Sequence, residues 1–329
     1  MMTVSRALNN RPNVDEKTRK KVVETASRMG YTPNLVARSL VTQRTETVGV
    51  VVPEITHSFF PEAIRGIEEA TYSAGYQLIL THSAENAERE KNALQTLESK
   101  RVDGVLLSTA QTVKDYKAYE RFAQIGVPMV FFDRCVFDLG LSCVTVDDTR
   151  SARRMTRHLI DHGYERIAHL SGSQRVSIGE ARLNGYQKAL EGAGIPVYEE
   201  LVVEAGFQEP DGRRAMETLL ALPDSKRPDA VFAVNDPAAF GAMKAIQDAG
   251  LTIPDDIALV GFSDDIRAAL MSVPLTTIRQ PAYEIGNKAA QLLVDLIEGK
   301  DATTSELILR TDIVIRRSCG CDYPESDNP

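Results

Sequence analysis

The sequence predicts an α/β protein: two doubly wound parallel-sheet subdomains preceded by a small all-helical head. Three observations predict it. From Thr47 onward, short apolar runs rich in β-branched residues alternate with segments of helical period. The alternation runs through once and restarts near Arg150, giving two arrays of similar size. Residues 1–46 lack that alternation and are basic, whereas the remainder is acidic.

The first array reads Val48–Val52, a helix over 61–75 with Ile64, Ile67 and Ala70 at helical spacing, Leu78–Thr81, a helix over 87–100, Gly104–Leu107, a helix over 113–126, and Met129–Phe132. The second reads a helix over 150–163, Ile167–Leu170, a helix over 179–194, Leu201–Glu204, a helix over 211–222, Ala230–Val234, a helix over 237–250, and Ala258–Gly261. Strands that are apolar throughout belong to parallel sheets covered on both faces. The expected subdomains are 47–147 plus 279–304 and 148–278 plus 305–318, with a tail over 319–329. A cleft is expected where the carboxyl ends of the two sets of strands face each other. Such clefts take small ligands and close by hinge motion.

In the head, Asp15 caps a helix that Gly30 ends, with Val22, Val23, Ala26 and Met29 as its apolar face. A second short helix over Leu35–Val41 leads into a polar linker at 42–47. The stretch Thr3–Asn10 reads as a further helix with Val4, Ala7 and Leu8 inward and Thr3, Ser5 and Arg6 outward. Short hydroxyls beside one guanidinium suit a helix entering a major groove, where arginine reaches guanine.

Charge and composition narrow the function. The 329 residues carry a net charge of −8, yet residues 1–46 hold nine Lys or Arg against four acids, a +5 head on a −13 body. That asymmetry points to a polyanion partner for the head, with a solvated helical face as the alternative. No apolar run approaches the roughly 20 residues of a membrane span, and no secretory leader opens the chain, so a cytoplasmic protein with no membrane contact is expected. Of the four cysteines, Cys135 and Cys143 read as buried small residues. Cys319-Gly320-Cys321 has poor disulfide geometry and no second pair to complete a zinc site, so neither metal nor cofactor is expected. His158 and His162 stand four apart on an ordinary amphipathic helix. The acid pairs Asp147-Asp148, Asp255-Asp256 and Asp264-Asp265 suit caps and turns, and there is neither a glycine-rich phosphate loop nor a Gly-x-Ser-x-Gly elbow. No catalytic residue is expected.

The blocks TVSRALNN (3–10), VDEKTRKKVVETASRMGYTPN (14–34) and ARSL (37–40) resemble the head of the lactose-repressor (LacI/GalR) family of transcription regulators. The resemblance implies that Thr3, Ser5, Arg6 and Asn9 lie on or beside the recognition helix of a helix-turn-helix. It implies that Arg38, Ser39 and Leu40 lie on a hinge helix whose Leu40 wedges into the minor groove. The family's first helix has no counterpart before Met1, so a truncated head is expected. In the body, TVGVVVP (47–53), FFPEAIRGIEEATYSAGYQLIL (59–80), DGVLL (103–107), VPMVFFDR (127–134), AVNDPAAFGAMKAIQDAGLTIPDDIALVGFSDD (233–265) and PLTTIRQP (274–281) are similar to family blocks in the same order.

Effector contacts are expected from Phe59 and Phe60 as stacking rings, with helix-start core as the alternative, from Asp133 and Arg134 after a strand, with an interdomain salt bridge as the alternative, and from Asn235 and Asp236 after another. The resemblance adds Arg182 as a ligand clamp, Phe207 as a stacking aromatic, and Asp264 and Gln280; the family often has Asp where this chain has Ser263. The expected protein is a homodimeric, operator-binding regulator controlled by a small effector, a carbohydrate in preference to a nucleobase. A solute-binding protein without a DNA role would share the body, but should lack the basic head. An enzyme on this fold would need a nucleophile, base or phosphate loop at the cleft.

Overall fold

A computed structural model describes residues 2–8, 12–31, 44–300 and 306–321. The chain divides into two units, residues 1–45 and 46–329.

In the first unit, α1 (Met2–Leu8) packs against α2 (Glu16–Arg28). Asp15 caps α2 by accepting from Thr18 N at 2.9 Å, and Gly30 follows the helix at φ +62°. The two helices cover Ala7, but Val4, Val23 and Met29 remain exposed, contrary to the expected inward faces. Leu8, Val22 and Ala26 are half-buried along the line where the two short helices meet. The expected helix at 35–41 falls outside the described residues.

The second unit holds two parallel sheets. The first has six strands in the order β11-β5-β4-β3-β1-β2: β1 (Thr47–Val52), β2 (Gln77–His82), β3 (Gly104–Leu107), β4 (Met129–Phe132), β5 (Ser142–Val146) and β11 (Glu306–Leu309). The second has four, in the order β7-β6-β8-β9: β6 (Ile167–Ser171), β7 (Val202–Glu204), β8 (Ala230–Ala233) and β9 (Ala258–Val260). β10 (Thr277–Arg279) and β12 (Asp312–Val314) pair as an antiparallel ribbon. Helices α3 (Phe59–Ser73), α4 (Ala87–Ser99), α5 (Lys117–Gln124) and α10 (Ala282–Ile297) accompany the first sheet; α6 (Asp148–Asp161), α7 (Ser177–Gly192), α8 (Glu209–Leu220) and α9 (Asp236–Asp248) accompany the second.

Three points differ from the sequence reading. β5 carries Ser142, Cys143 and Thr145 in a fully buried strand, so it shows no continuous apolar run. Glu306–Leu309 pairs with Cys143–Val146 in the first sheet and not, as expected, in the second subdomain. Cys135 and Cys143, read as separate small residues, are joined by a disulfide with Cα atoms 6.0 Å apart.

Three helix pairs approach so closely that glycine is required. A Cβ on Gly66 of α3 would lie 2.1 Å from Tyr283 O of α10, and one on Gly286 would lie 2.0 Å from Ala63 O. Gly212 of α8 and Gly241 of α9 meet Ala238 O and Glu209 O in the same way, and Gly185 of α7 meets Thr149 O of α6. Backbone here touches backbone, which a rotamer change cannot relieve. Gly66→Ala is therefore expected to destabilise the protein by roughly 1–3 kcal/mol in urea unfolding. Gly192→Ala, at the open end of α7 with nothing within 4 Å, should instead stabilise it by about 0.5–1 kcal/mol.

His169 on β6 is fully buried, stacked between Tyr186 and Phe232 at centroid distances of 5.2 and 4.9 Å, and its Nδ1 donates to Phe232 O at 2.9 Å. Burial pushes its pKa down to about 4. It is neutral in both states above its ordinary value, and as pH falls from about 6.5 only the unfolded chain gains a proton, so the stability it contributes is lost towards pH 4. The gap in stability between wild type and His169→Gln should narrow by on the order of 3 kcal/mol between about pH 7 and 4, while buried carboxylates common to both cancel. A gap that stays constant with pH would show that the ring is not held neutral.

Candidate effector cleft

Side chains that follow strand ends converge between the two sheets. From the first come Glu54, His57, Phe59 and Phe60 after β1, Glu85 after β2, and Asp133 and Arg134 after β4. From the second come Ile178 and Arg182 on α7 after β6, Phe207 and Gln208 after β7, Asn235 and Pro237 after β8, and Ser263 after β9, with Gln280 from the crossover after β10. They enclose about 450 Å³ of space, open solvent at the mouth included.

Eight of the expected effector residues line this cleft: Phe59, Phe60, Asp133, Arg134, Arg182, Phe207, Asn235 and Gln280. Phe60 and Phe207 present rings from opposite sides, and the Arg134 guanidinium lies 4.4 Å from the Phe207 centroid. Arg134 Nη1 also donates to Glu85 at 2.8 Å and to Thr109 O at 3.3 Å. Asp133 takes a left-handed φ of +61°, which aims its carboxyl into the site, and burial raises its pKa against the pull of Arg134 and Arg182. Gln280 Nε2 reaches it at 3.4 Å. Arg182 is buried, donates from Nε to Asp148 at 2.8 Å and from Nη1 to Val234 O at 2.7 Å, and lies 3.6 Å over the Phe262 ring. Burial pushes the Asp148 carboxyl up to about 6, with Arg182 opposing. Asn235 caps α9 by accepting from Ala238 N at 2.9 Å and donates to Phe207 O at 3.0 Å, so it shapes the wall as well as lining it.

Asp236 and Asp264 do not line the cleft. Asp236 is completely buried, accepting from Thr277 Oγ1 at 2.6 Å and from Asp265 N at 2.7 Å, and burial raises its pKa to about 7. Asp264 pairs with Arg279 and Arg316, each at 2.7 Å. Both carboxylates are consumed by the crossover. Glu54, His57, Glu85 and Gln208 escaped the sequence reading, although each lies a few residues beyond a strand's carboxyl end. Gln208 bridges the cleft: its Nε2 donates to Glu54 at 2.9 Å and its Oε1 accepts from His57 Nε2 at 3.0 Å. Ser58 N donates to Asp265 Oδ2 at 3.2 Å and Cys135 N to Ser177 Oγ at 3.1 Å, so the cleft is held closed.

In the head, Thr3 and Arg6 are exposed on α1 and Ser5 belongs to the same helix. Asn9, Arg38, Ser39 and Leu40 lie outside the described residues. Away from the cleft, the Cys319-Gly320-Cys321 pair is not alone as the spacing suggested: α6 brings His158 Nε2 within 3.3 Å of Cys321 Sγ.

Residues 45–319 match the family model described as periplasmic binding proteins and sugar binding domain of LacI family, and residues 1–34 match that of bacterial regulatory proteins, lacI family. The chain is 34% identical over 319 residues to catabolite control protein A of Priestia megaterium, covering 97% of this chain and 95% of that protein. Among solved structures it is similar to the transcriptional regulator CelR in complex with cellobiose, with a TM-score of 0.77 and 32% identity over 96% of this chain and 95% of that one. It is also similar to the Lac repressor dimer bound to operator and the anti-inducer ONPF, with a TM-score of 0.85 and 26% identity over 97% and 94% of the two chains.

The buried pair within the wall yields a test. Arg182→Met strands the Asp148 carboxylate and is expected to cost about 3–5 kcal/mol in urea unfolding above about pH 7. The cost should shrink at about pH 5, where Asp148 takes up a proton. Equal losses at both pH values would place the stabilisation in packing over Phe262 instead.

Proposed function

Because the chain belongs to the LacI family and is a DNA-binding transcription regulator, we propose that it is a homodimeric cytoplasmic repressor whose cleft takes a carbohydrate. The observation that carries the choice of ligand is the mixture of groups in the cleft. Phe60 and Phe207 offer ring faces, and between them lie buried charged groups rather than a greasy wall. Sugars present C–H faces to aromatic rings and hydroxyls that bond carboxylates and guanidinium groups. His57 Nδ1 and Arg134 Nε are buried and have no hydrogen-bond partner among the described residues. Each is a polar atom that a ligand hydroxyl can satisfy. Cellobiose in the similar CelR complex supports the same class.

Ligand bound between the two sheets changes their relative stability in open and closed arrangements, and so biases how two heads address two half-sites. The Lac repressor structure, a dimer on operator, supports the pairing. Thr3, Ser5, Arg6 and Asn9 are proposed as base and phosphate contacts, and Arg38, Ser39 and Leu40 as the hinge contact.

Fluorescence anisotropy with DNA fragments flanking the protein's own gene, across a salt series, tests the reading. Expected are a steep loss of affinity with salt, a loss of about 10-fold or more in Arg6→Ala at the specific site, and a shift of about 5–150-fold in operator affinity with one sugar of a mono- and disaccharide panel. If nucleosides alone shift affinity, the carbohydrate assignment falls. If no flanking fragment binds, the repressor reading falls.

A further inference from the structure

The C-terminus carries chemistry that neither DNA binding nor the effector cleft uses. Cys319 closes a short 3₁₀ turn at Arg317–Cys319 and is fully buried. Gly320 follows at φ +76°, and a Cβ there would lie 2.6 Å from the Tyr164 hydroxyl. This left-handed link folds the chain so that the two cysteine sulfurs lie on one side, 2.9 Å apart. That separation is well beyond the roughly 2.05 Å of a disulfide. Tyr164 fixes the turn by donating from its hydroxyl to Cys319 O at 3.0 Å, and Thr276 Oγ1 lies 3.1 Å from Cys319 Sγ.

The third member comes from far away in sequence. His158 lies in the last turn of α6, and its Nε2 is 3.3 Å from Cys321 Sγ. The ligand atoms of His158, Cys319 and Cys321 all lie within 4.8 Å of one another. His162 braces the histidine, with ring centroids 4.4 Å apart and its own Nδ1 2.7 Å from His158 O.

We propose that His158, Cys319 and Cys321 form a site for a thiophilic divalent cation, of which Zn²⁺ is the type. Two thiolates and an imidazole are a donor set that suits zinc and disfavours the hard cations magnesium and calcium. Three protein ligands leave a fourth position for solvent. Tetrahedral bonds of about 2.3 Å to sulfur require the two sulfurs to move apart by about 0.9 Å, a shift within the reach of the half-buried Cys321. The ion ties the end of the chain to the carboxyl-terminal turn of α6. The opposite end of that helix carries Asp148, the partner of Arg182.

The test uses the full chain without a histidine tag, stripped of metal and fully reduced, titrated with Zn²⁺ against a chromophoric chelator and separately with Co²⁺. Expected are one equivalent bound per chain, a thiolate-to-cobalt charge-transfer band with tetrahedral d–d bands, and two thiols per chain protected by Zn²⁺ from a thiol reagent. His158→Gln and Cys321→Ser should each weaken binding by more than the roughly 10–100-fold that loss of an outer-sphere partner costs. The Cys135→Ser/Cys143→Ser variant should still bind one equivalent. Thermal melts of the metal-free variants establish that they fold, and His158→Gln serves where a cysteine change does not. The proposal is overturned if the reduced chain fails to hold one equivalent, or if the His158 and Cys321 variants bind as the wild type does. It is equally overturned if mass spectrometry finds Cys319 and Cys321 joined as a disulfide under reductant.

Discussion

One buried carboxylate organises the region where the chain passes between its two sheets. Asp236 begins α9 but turns its oxygens inward, to the Thr277 hydroxyl of β10 and the Asp265 amide. An uncompensated group there would cost several kcal/mol, so its partners are not free to move. Gly261 is forced as well, because a Cβ at that position would lie 2.1 Å from Asp236 Oδ1. Ser263 and Asp264 then take positive φ values of 124° and 57°, and Asp264 reaches Arg279 on β10 and Arg316 just beyond β12. Ser318 completes the seam, accepting from Thr276 N at 2.8 Å and donating to Leu259 O at 2.5 Å. A single acid thus fixes how β9, β10 and the last crossing lie against one another.

Much of this architecture is legible in the residues. Val48–Val52 and Ala230–Ala233 are apolar throughout because sheet neighbours and helices cover them on both faces, and such runs announce themselves. The helices α3, α6, α7 and α8 begin two residues earlier than their patterns suggest, since residues such as Phe59 and Glu209 join the first turn before the apolar repeat is established, whereas α5 begins four residues later, at Lys117. β5 was hidden by its serine, cysteine and threonine, and the placement of 306–309 by the fact that a strand's partner is not written in its own period.

The cleft divides in the same way. Aromatic and paired charged residues after strands, such as Phe60 and Asp133-Arg134, stand out by type. Gln208 and Glu54 do not, because a glutamine or glutamate in a loop is ordinary until the fold sets the two 2.9 Å apart. Asp236 and Asp264 show the converse: acids at strand ends suit ligand hydroxyls, yet neighbouring hydroxyl, amide and guanidinium groups claim them first. The approach of His158 to Cys319-Gly320-Cys321 was illegible for the same reason, since it spans more than half of the body.

The Gln208 bridge has a consequence for access. With the bonds from Ser58 N to Asp265 and from Cys135 N to Ser177, four hydrogen bonds cross the cleft, about 2–6 kcal/mol together and far less than the packing inside either sheet layer. A closure of that strength leaves the open form as a minor population. Entry of a solute then needs no prior triggering event: the mouth gapes by thermal fluctuation, and occupancy decides which arrangement persists.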